Sequence, residues 1–317
     1  MHAPARLLRK LVPAGSLIIG VTLITFVLMV YFGPDKSYEL VGKNPTPQQL
    51  QEIRHQLGYD RPFAVRYANY LWQLVRLDFG YSDSTGERVT HVLRRTIPIS
   101  LALITPGFLL GNALGILLGL WAAWYRGRWL DRLVMAAASI GMSISFLVVI
   151  VVFQLVFSSS YGLDLFPVRG WNVRDFGDYL YYVAVPSLAV IFVTLGYNTR
   201  FYRAVAVEQL ASDHVRTARA YGAGPGHVLF TTVLKNSLIP FLTRILFSIP
   251  LVVVGGNLLL ESYFGIPGVG KVTFDAITSG DQPVLKAVVA LTAILFVLIQ
   301  SLTGGLYRLV DPRLREP

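Results

Sequence analysis

Few residues of this 317-residue chain could make or break a covalent bond. There is no cysteine, so disulfides, thiolate metal sites, iron–sulfur clusters and thiol nucleophiles are excluded together. The five histidines stand at positions 2, 55, 91, 214 and 227, and no two have the spacing of a metal-ligand pair. One segment does carry a chemical pattern. Gly265-Ile266-Pro267-Gly268-Val269-Gly270-Lys271 fills the first seven positions of the phosphate-loop pattern GxxxxGK followed by Ser or Thr. The eighth position is Val272, so the hydroxyl that would hold magnesium is missing, although Thr273 is adjacent. The segment also follows an apolar stretch of helical length rather than a buried strand. Its residues favour a glycine-rich turn or re-entrant segment over a nucleotide site, and Lys271 is expected to bind no nucleotide.

The remaining chemistry is polar side chains inside apolar stretches. Of the 317 residues, 54% are in the AVILMFWYC set and 15% are charged, against about 25% charged in soluble proteins. Mean hydropathy is +0.55. Six stretches reach the ~20 apolar residues that a bilayer span needs. They run over 11–32, 97–124, 133–157, 179–199, 237–260 and 284–307. The first is too long for a signal-peptide core and is read as a retained anchor. Within them lie Asn112, Ser143, Ser145, Gln154, Thr194, Asn198, Asn257, Gln300 and Ser301, with Glu261 at the outer end of the fifth. In hydrocarbon such groups face the protein interior or water. Singly they are explained by interhelical hydrogen bonds. As a set they predict a bundle with a polar interior. Ser143, Ser145, Gln154, Asn198, Asn257 and Glu261 are the functional candidates among them. No Asp or Glu falls in mid-span, which argues against a proton relay. Arg244 stands about two turns into the fifth stretch and is expected to snorkel towards the cytoplasm.

The basic residues set an orientation. With the N-terminus inside, fourteen Lys and Arg fall in cytoplasmic segments and four in the two short outer loops. This predicts both termini cytoplasmic, and it accounts for the net charge of +10 without nucleic acid. The long outer loop, 33–95, reads as folded. Thr46-Pro47-Gln48-Gln49 looks like a capping box with Pro at the first helical position, and Gly58 ends that helix. A second amphipathic stretch spans 63–77, with Phe63, Tyr67, Tyr70, Leu71 and Leu74 at helical spacing. It suits either the outer membrane interface or a cap packed on the spans. Gly111, Gly115 and Gly119 form a small-residue stripe, suited to close packing within the subunit or to a seam between subunits.

The cytoplasmic segment 201–235 is the most informative. Residues 205–221 are good helix formers, with Val207, Leu210, Val215 and Ala218 available as an apolar face. Gly222-Ala223-Gly224-Pro225-Gly226 breaks the helix, and 227–235 forms a second, short one. Two helices about a glycine turn make a knob on which another protein can dock.

This loop resembles the EAA-type coupling loop of ABC-importer permease subunits, on Arg216-Thr217-Ala218 and Gly222 in the string that starts at Asp213. Leu234-Lys235-Asn236-Ser237-Leu238-Ile239-Pro240 is similar to the dipeptide/oligopeptide/nickel branch in particular. So are Asn44 to Leu50, Leu57 to Pro62, Asp78 to Ser82, Glu261 to Phe264 with Pro267-Gly268-Val269-Gly270, and the end Asp311 to Arg315. The resemblance thus runs the whole chain. Three positions depart from it. The initial Glu of the broad motif is absent. Tyr221 stands where Lys is usual, and Ser145 stands where the branch has proline, which leaves the kink of the third span undetermined.

The resemblance implies an all-α polytopic membrane helix bundle of six transmembrane helices, the type I ABC importer permease fold. It would be organised as 1–32 (tail and first helix), 33–95 (extracytoplasmic insertion), 96–310 (core, with the coupling loop 201–235) and 311–317 (tail). It further implies a bacterial inner-membrane location, a second homologous permease, two ABC ATPase subunits that bind ATP and Mg, and an extracytoplasmic solute-binding protein. This chain would be non-catalytic and would bind no cofactor. Asp213, Arg216, Thr217, Ala218, Gly222 and Pro240 would form the ATPase-coupling site, and Ser143, Ser145, Gln154, Asn198, Asn257 and Glu261 would be the candidates for the translocation path. Peptides are the expected cargo, with nickel or another small solute as the alternative. A secondary transporter or a membrane receptor are the readings from other classes.

Overall fold

The computed structural model describes residues 3–32, 36–41, 46–56 and 58–310. Expectations placed on 33–35, 44–45, Leu57 and 311–315 lie outside these residues, as do the side chains of Arg6, Arg9, Lys10 and Arg308. The described chain is helical, with one isolated antiparallel bridge between Tyr81 and Arg88. The helices are α1 (Ala3–Phe32), α2 (Lys36–Val41), α3 (Pro47–Gln56), α4 (Phe63–Val75), α5 (Val89–Trp124), α6 (Trp129–Ser143) and α7 (Phe146–Ser158). They continue as α8 (Phe176–Leu210), α9 (Asp213–Ala220), α10 (Pro225–His227), α11 (Leu234–Pro250), α12 (Asn257–Phe264), α13 (Val269–Ser279) and α14 (Gln282–Val310). Two π-helical turns, Val228–Val233 and Leu251–Gly256, bracket α11.

Among the described residues, four helical segments are long and apolar enough to cross a bilayer: Val89–Trp124, Phe176–Leu210, Pro225–Val253 and Gln282–Tyr307. The α6–α7 pair makes a fifth if it is one span. Of the first expected span, the described residues give a shorter apolar helix, Ile18–Leu28. The third expected span, whose kink the sequence left undetermined, is broken by 99° between Ser143 and Phe146. Its halves have 15 and 13 residues, about 20 Å each, so neither alone covers a ~30 Å hydrocarbon core. The break does not need the missing proline. Ile144 and Ser145 take extended ψ values of 129° and 137°, and Ser145 starts α7.

Contacts divide the chain into two units, which cut across the segments expected from the sequence. The first is 1–96 with 272–298. Here the capping box forms as read. The Thr46 backbone N–H donates to Gln49 Oε1 at 3.1 Å and the Gln49 N–H donates to Thr46 Oγ1 at 3.4 Å. Gly58 follows α3 at φ +67°, a left-handed value that suits glycine. The amphipathic α4 packs on α1, the contact that a cap on the spans calls for. Phe26 meets Phe63, Tyr67 and Tyr70 at ring separations of 5.4–5.6 Å, and Tyr67 Oη donates to the Ile19 carbonyl at 2.9 Å. Trp72 remains exposed, with the Arg76 guanidinium over its ring. Burial raises the Tyr70 hydroxyl to a pKa of about 12, with a smaller contribution from Tyr67.

Asp281 ties this unit together. Its carboxylate, almost wholly buried, accepts from Ser82 Oγ (2.5 Å), Ser84 Oγ (2.8 Å), Ser84 N (3.1 Å) and Val284 N (3.3 Å). It therefore caps α14 and pins the turn after α4 in one step. Burial alone would raise its pKa, but these four donors together outweigh burial and hold it below the ordinary value.

The second unit is 97–271 with 299–317. Its centre is the crossing of α5 on α8. The expected glycine stripe faces α8, so it is an intrasubunit seam. A Cβ at Gly111 would fall 2.1 Å from Thr194 Oγ1, at Gly115 2.9 Å from Asn198 Cβ, and at Gly119 2.8 Å from Tyr202 Cβ. Gly107 extends the stripe by one more turn, against Val190 at 2.9 Å. Around it Leu103, Ile104, Val149, Ile150, Ala189, Val190 and Leu260 form a buried apolar cluster.

Candidate functional site

Three arrangements in the second unit bear on function. The first is the knob. The expected helix over 205–221 is in fact two helices, because α8 ends at Leu210 and α9 restarts at Asp213. Good helix formers do not prevent this. Ser212 takes an extended conformation (φ −78°, ψ 159°), and its hydroxyl donates back to the Gln209 carbonyl, a local bond that competes with the helix ladder. Val215 is fully buried with Leu120, Ala123, Ala206, Val228 and Val233, and Val207 and Leu210 pack on that cluster. This apolar base seats α9 on the ends of α5 and α8. Arg219 places its guanidinium over the Trp124 ring at 5.4 Å.

The other face of the knob is left open. Asp213 and Arg216 form an exposed ion pair at 3.4 Å, with side chains 95% and 78% accessible. Such a pair contributes little stability and leaves both charges available to a partner. Thr217 Oγ1 donates to the Asp213 carbonyl at 3.0 Å. Tyr221 is 89% exposed. Gly222 has φ +82° and nothing within 4 Å of where a Cβ would stand. Asp213, Arg216, Thr217, Ala218 and Gly222 therefore share one projecting element. Pro240 does not join them: it lies inside α11 and lines the cavity described next.

The second arrangement is a cavity of about 900 Å³ between α5, α8 and α11. Phe108, Phe201 and Phe247 give it apolar walls; Thr194, Asn198, Thr243 and Arg244 bring polarity. The geometry fixes the polar orientation. Asn112 must present its amide NH2 to the Phe108 carbonyl at 2.8 Å, so its Oδ1 is the acceptor. Asn198 Nδ2 donates to that oxygen at 3.0 Å, and the buried Tyr202 hydroxyl donates to the same oxygen at 2.7 Å. Asn198 therefore keeps its own Oδ1 as an acceptor. Arg244 lines the cavity with its guanidinium over the Phe201 ring at 5.6 Å.

The third arrangement is the glycine-rich segment Gly265 to Lys271, which is occupied by the protein itself. The Lys271 backbone N–H donates to Glu261 Oε2 at 3.1 Å, and the Val269 N–H donates to Ser100 Oγ at 2.8 Å. A Cβ at Gly268 would lie 2.3 Å from the Glu261 carboxylate, and at Gly270 2.4 Å from the Asn257 backbone. A phosphate would need those N–H groups, and it would meet a carboxylate already there. The segment is a turn closed on α12, as its residues favoured.

Of the six candidates for a path, only Asn198 lines the cavity. Asn257 and Glu261 are fully buried under the glycine turn. Gln154 donates to the Val168 carbonyl at 2.6 Å. Ser143 and Ser145 stand exposed at the α6–α7 break. Sequence reasoning missed the pair Asp131–Arg203, a bidentate contact at 2.5 and 2.6 Å whose carboxylate also accepts from the Gly127 N–H at 2.9 Å. The signal was present: Asp131 is the one acid in a loop otherwise carrying Arg126, Arg128 and Arg132.

The chain resembles known proteins over its full length. Residues 115–316 match the family described as binding-protein-dependent transport system inner membrane component. Residues 5–104 match the N-terminal region of such membrane components. It is 32% identical to the di/tripeptide transport system permease protein DppB of Pseudomonas aeruginosa, over 98% of both chains. It is 31% identical to the dipeptide transport system permease protein DppB of Lactococcus lactis, over 95% of both. In fold it resembles the solved MetNI methionine ABC transporter in an inward-facing conformation, with a TM-score of 0.57 at 21% identity, covering 70% of this chain and 97% of that one. The helical architecture is that of the type I importer permease. With the apolar spans, the projecting knob and a family match over most of its length, the chain belongs to the inner membrane components of binding-protein-dependent ABC importers.

Proposed function

We propose that this chain is the permease subunit of an ATP-driven importer for peptides, and that it pairs with a second, homologous permease to enclose the path. Two ATPase subunits dock on the cytoplasmic side, with ATP and Mg held by them. A solute-binding protein delivers peptide from outside. The chain itself catalyses nothing and holds no cofactor, and both its termini are cytoplasmic.

The observation that carries this reading is the knob. Asp213, Arg216, Thr217, Ala218 and Gly222 project on a short helix whose base is locked by Val215 and whose outer face has no partner among the described residues. That is what a joint needs: a rigid root that transmits displacement and an open surface that receives it. The 27–32% identical relatives named as dipeptide or di/tripeptide permeases support the cargo class.

The test is reconstitution. The chain is purified with its companion permease and ATPases in proteoliposomes, and uptake of labelled di- and tripeptides is followed with and without ATP and binding protein. Uptake that needs both supports the reading. Peptide uptake that persists without ATP points to a secondary transporter. Binding without uptake points to a receptor.

A further inference from the structure

We propose that Arg244 is the group that recognises the carboxylate of a peptide in transit, and so sets a preference of the permease itself for solutes with a free C-terminus. The proposal rests on the peptide-permease reading and adds a residue to it.

Four observations lead here. The first is the cavity. At about 900 Å³ it is within the size range of small-molecule sites, and its apolar and aromatic walls suit side chains of varied shape. The second is its charge. Among the residues that line it, Arg244 is the one Lys or Arg, and there is no Asp or Glu. The third is the state of that charge. Arg244 Nε is buried and has no hydrogen-bond acceptor, and no carboxylate pairs with this guanidinium among the described residues. Its contact is the face of the Phe201 ring. A ring face attracts a cation but accepts none of its five N–H bonds in the plane. The fourth is depth. Arg244 lies seven residues beyond Ser237 on α11, about 10 Å along the helix axis. A charge at such depth is costly, and it is found where it meets a partner or a solute.

Chemistry then names the solute group. A guanidinium presents parallel N–H donors that match the two oxygens of a carboxylate. Every linear peptide with a free C-terminus carries that group, whatever its side chains, so one arginine serves cargo of varied sequence. The amide Oδ1 of Asn198, also on the cavity wall, offers an acceptor for a peptide N–H. The remaining wall is apolar and makes no sequence-specific demand.

The binding protein also selects peptides, so the test leaves it out. The assembled permease–ATPase complex in lipid nanodiscs, without binding protein or nucleotide, is titrated with the dipeptide Ala-Phe and with its C-terminal amide. Wild type is expected to bind the free acid about tenfold tighter than the amide, the scale of one charge-assisted hydrogen bond. In Arg244→Gln the acid falls to within about twofold of the amide, while the amide itself changes little. Arg244→Lys keeps the charge without the fork and retains an intermediate preference. Equal affinity of the wild type for acid and amide overturns the proposal, even if the variants fail to assemble. So does an undiminished preference in an assembled Arg244→Gln complex. A wild-type complex that takes up no peptide in proteoliposomes, with ATP and binding protein supplied, sinks the permease reading instead.

Discussion

Two glycine-rich turns in the second unit look alike in sequence and differ in structure. One, Gly222 to Gly226, follows α9; the other, Gly265 to Gly270, follows α12. Both contain a glycine at positive φ, +82° at Gly222 and +66° at Gly265. At the first turn an added Cβ at Gly222, Gly224 or Gly226 meets nothing within 4 Å. At the second, Gly268 and Gly270 press on Glu261 and Asn257 at 2.3–2.4 Å. The same residue type therefore performs opposite tasks. In one place it leaves the surface open. In the other it removes space so that the chain can close on itself. The phosphate-loop pattern falls on the closed turn, where the missing hydroxyl at Val272 already argued against a nucleotide, and the room is at the open one.

This contrast can be broken or sharpened by substitution. The largest effect is expected at the closed turn. Gly270→Val drives a branched side chain into the Asn257 backbone, which cannot yield as a flexible side chain would. We expect a loss of about 3 kcal/mol or more. Membrane abundance and thermal melting in detergent would read it, and a normally abundant, normally melting protein would refute the closure.

A comparable but smaller loss is expected at the root of the knob's end of the bundle. Asp131→Ala removes a carboxylate whose own side chain is 5% exposed and strands Arg203, which is 24% exposed. Breaking such a pair costs about 3 kcal/mol when fully buried, and less here because Arg203 reaches water. Asp131→Ala combined with Arg203→Met should recover part of the melting temperature. A double variant no better than the single one would mean that the pair is not what holds α6 to α8.

Gly222→Asp should behave differently from both. Its site is open, so only the left-handed backbone resists, at about 1 kcal/mol. Protein abundance should stay near wild type while ATPase co-purification or binding-protein-stimulated hydrolysis falls. Gly222→Ala separates strain from charge and bulk, and should retain most stimulation. Normal stimulation and uptake in Gly222→Asp would show that this loop is not the joint.

The smallest effect concerns Asp281, in the first unit. Its pKa is held below the ordinary 3.8, so its donors stabilise the fold fully above that value. That contribution is lost as pH falls through the lower, folded value. Melting of wild type followed from pH 6 to pH 3 should therefore steepen at the acid end, and Asp281→Asn should flatten the difference. Parallel curves for the two proteins would remove Asp281 as the cause.

Much of this was legible in the sequence because it is written in single residues with one physical meaning. Thr46 and Gln49 form their capping box, Gly58 and Gly222 take left-handed backbone, and the Gly111–Gly115–Gly119 stripe lies against a helix. What was not legible depends on how distant segments meet. The 99° break at Ile144-Ser145 has no proline to announce it. The pairing of Asp131 with Arg203 spans 72 positions, and that of Asp281 with Ser82 spans 199. Arg244 illustrates the limit well. Periodicity and charge place it in a span, but only the packing of α5, α8 and α11 reveals that a cavity is there for it to face.

The π-helical turns at both ends of α11 give this helix an unusual freedom. A π turn holds one residue more than an α turn between its bonded partners. Backbone slack is thus stored at Val228–Val233, beside the knob, and at Leu251–Gly256, beyond the cavity. If that surplus residue passes along the helix, i→i−5 bonds are exchanged for i→i−4 bonds except at Pro240 and Pro250, which have no N–H to donate. The segment between can then turn like a spindle in two bearings. In that geometry a push at Gly222 would turn the wall that carries Pro240 and Arg244, with the two ends of α11 held in their seats.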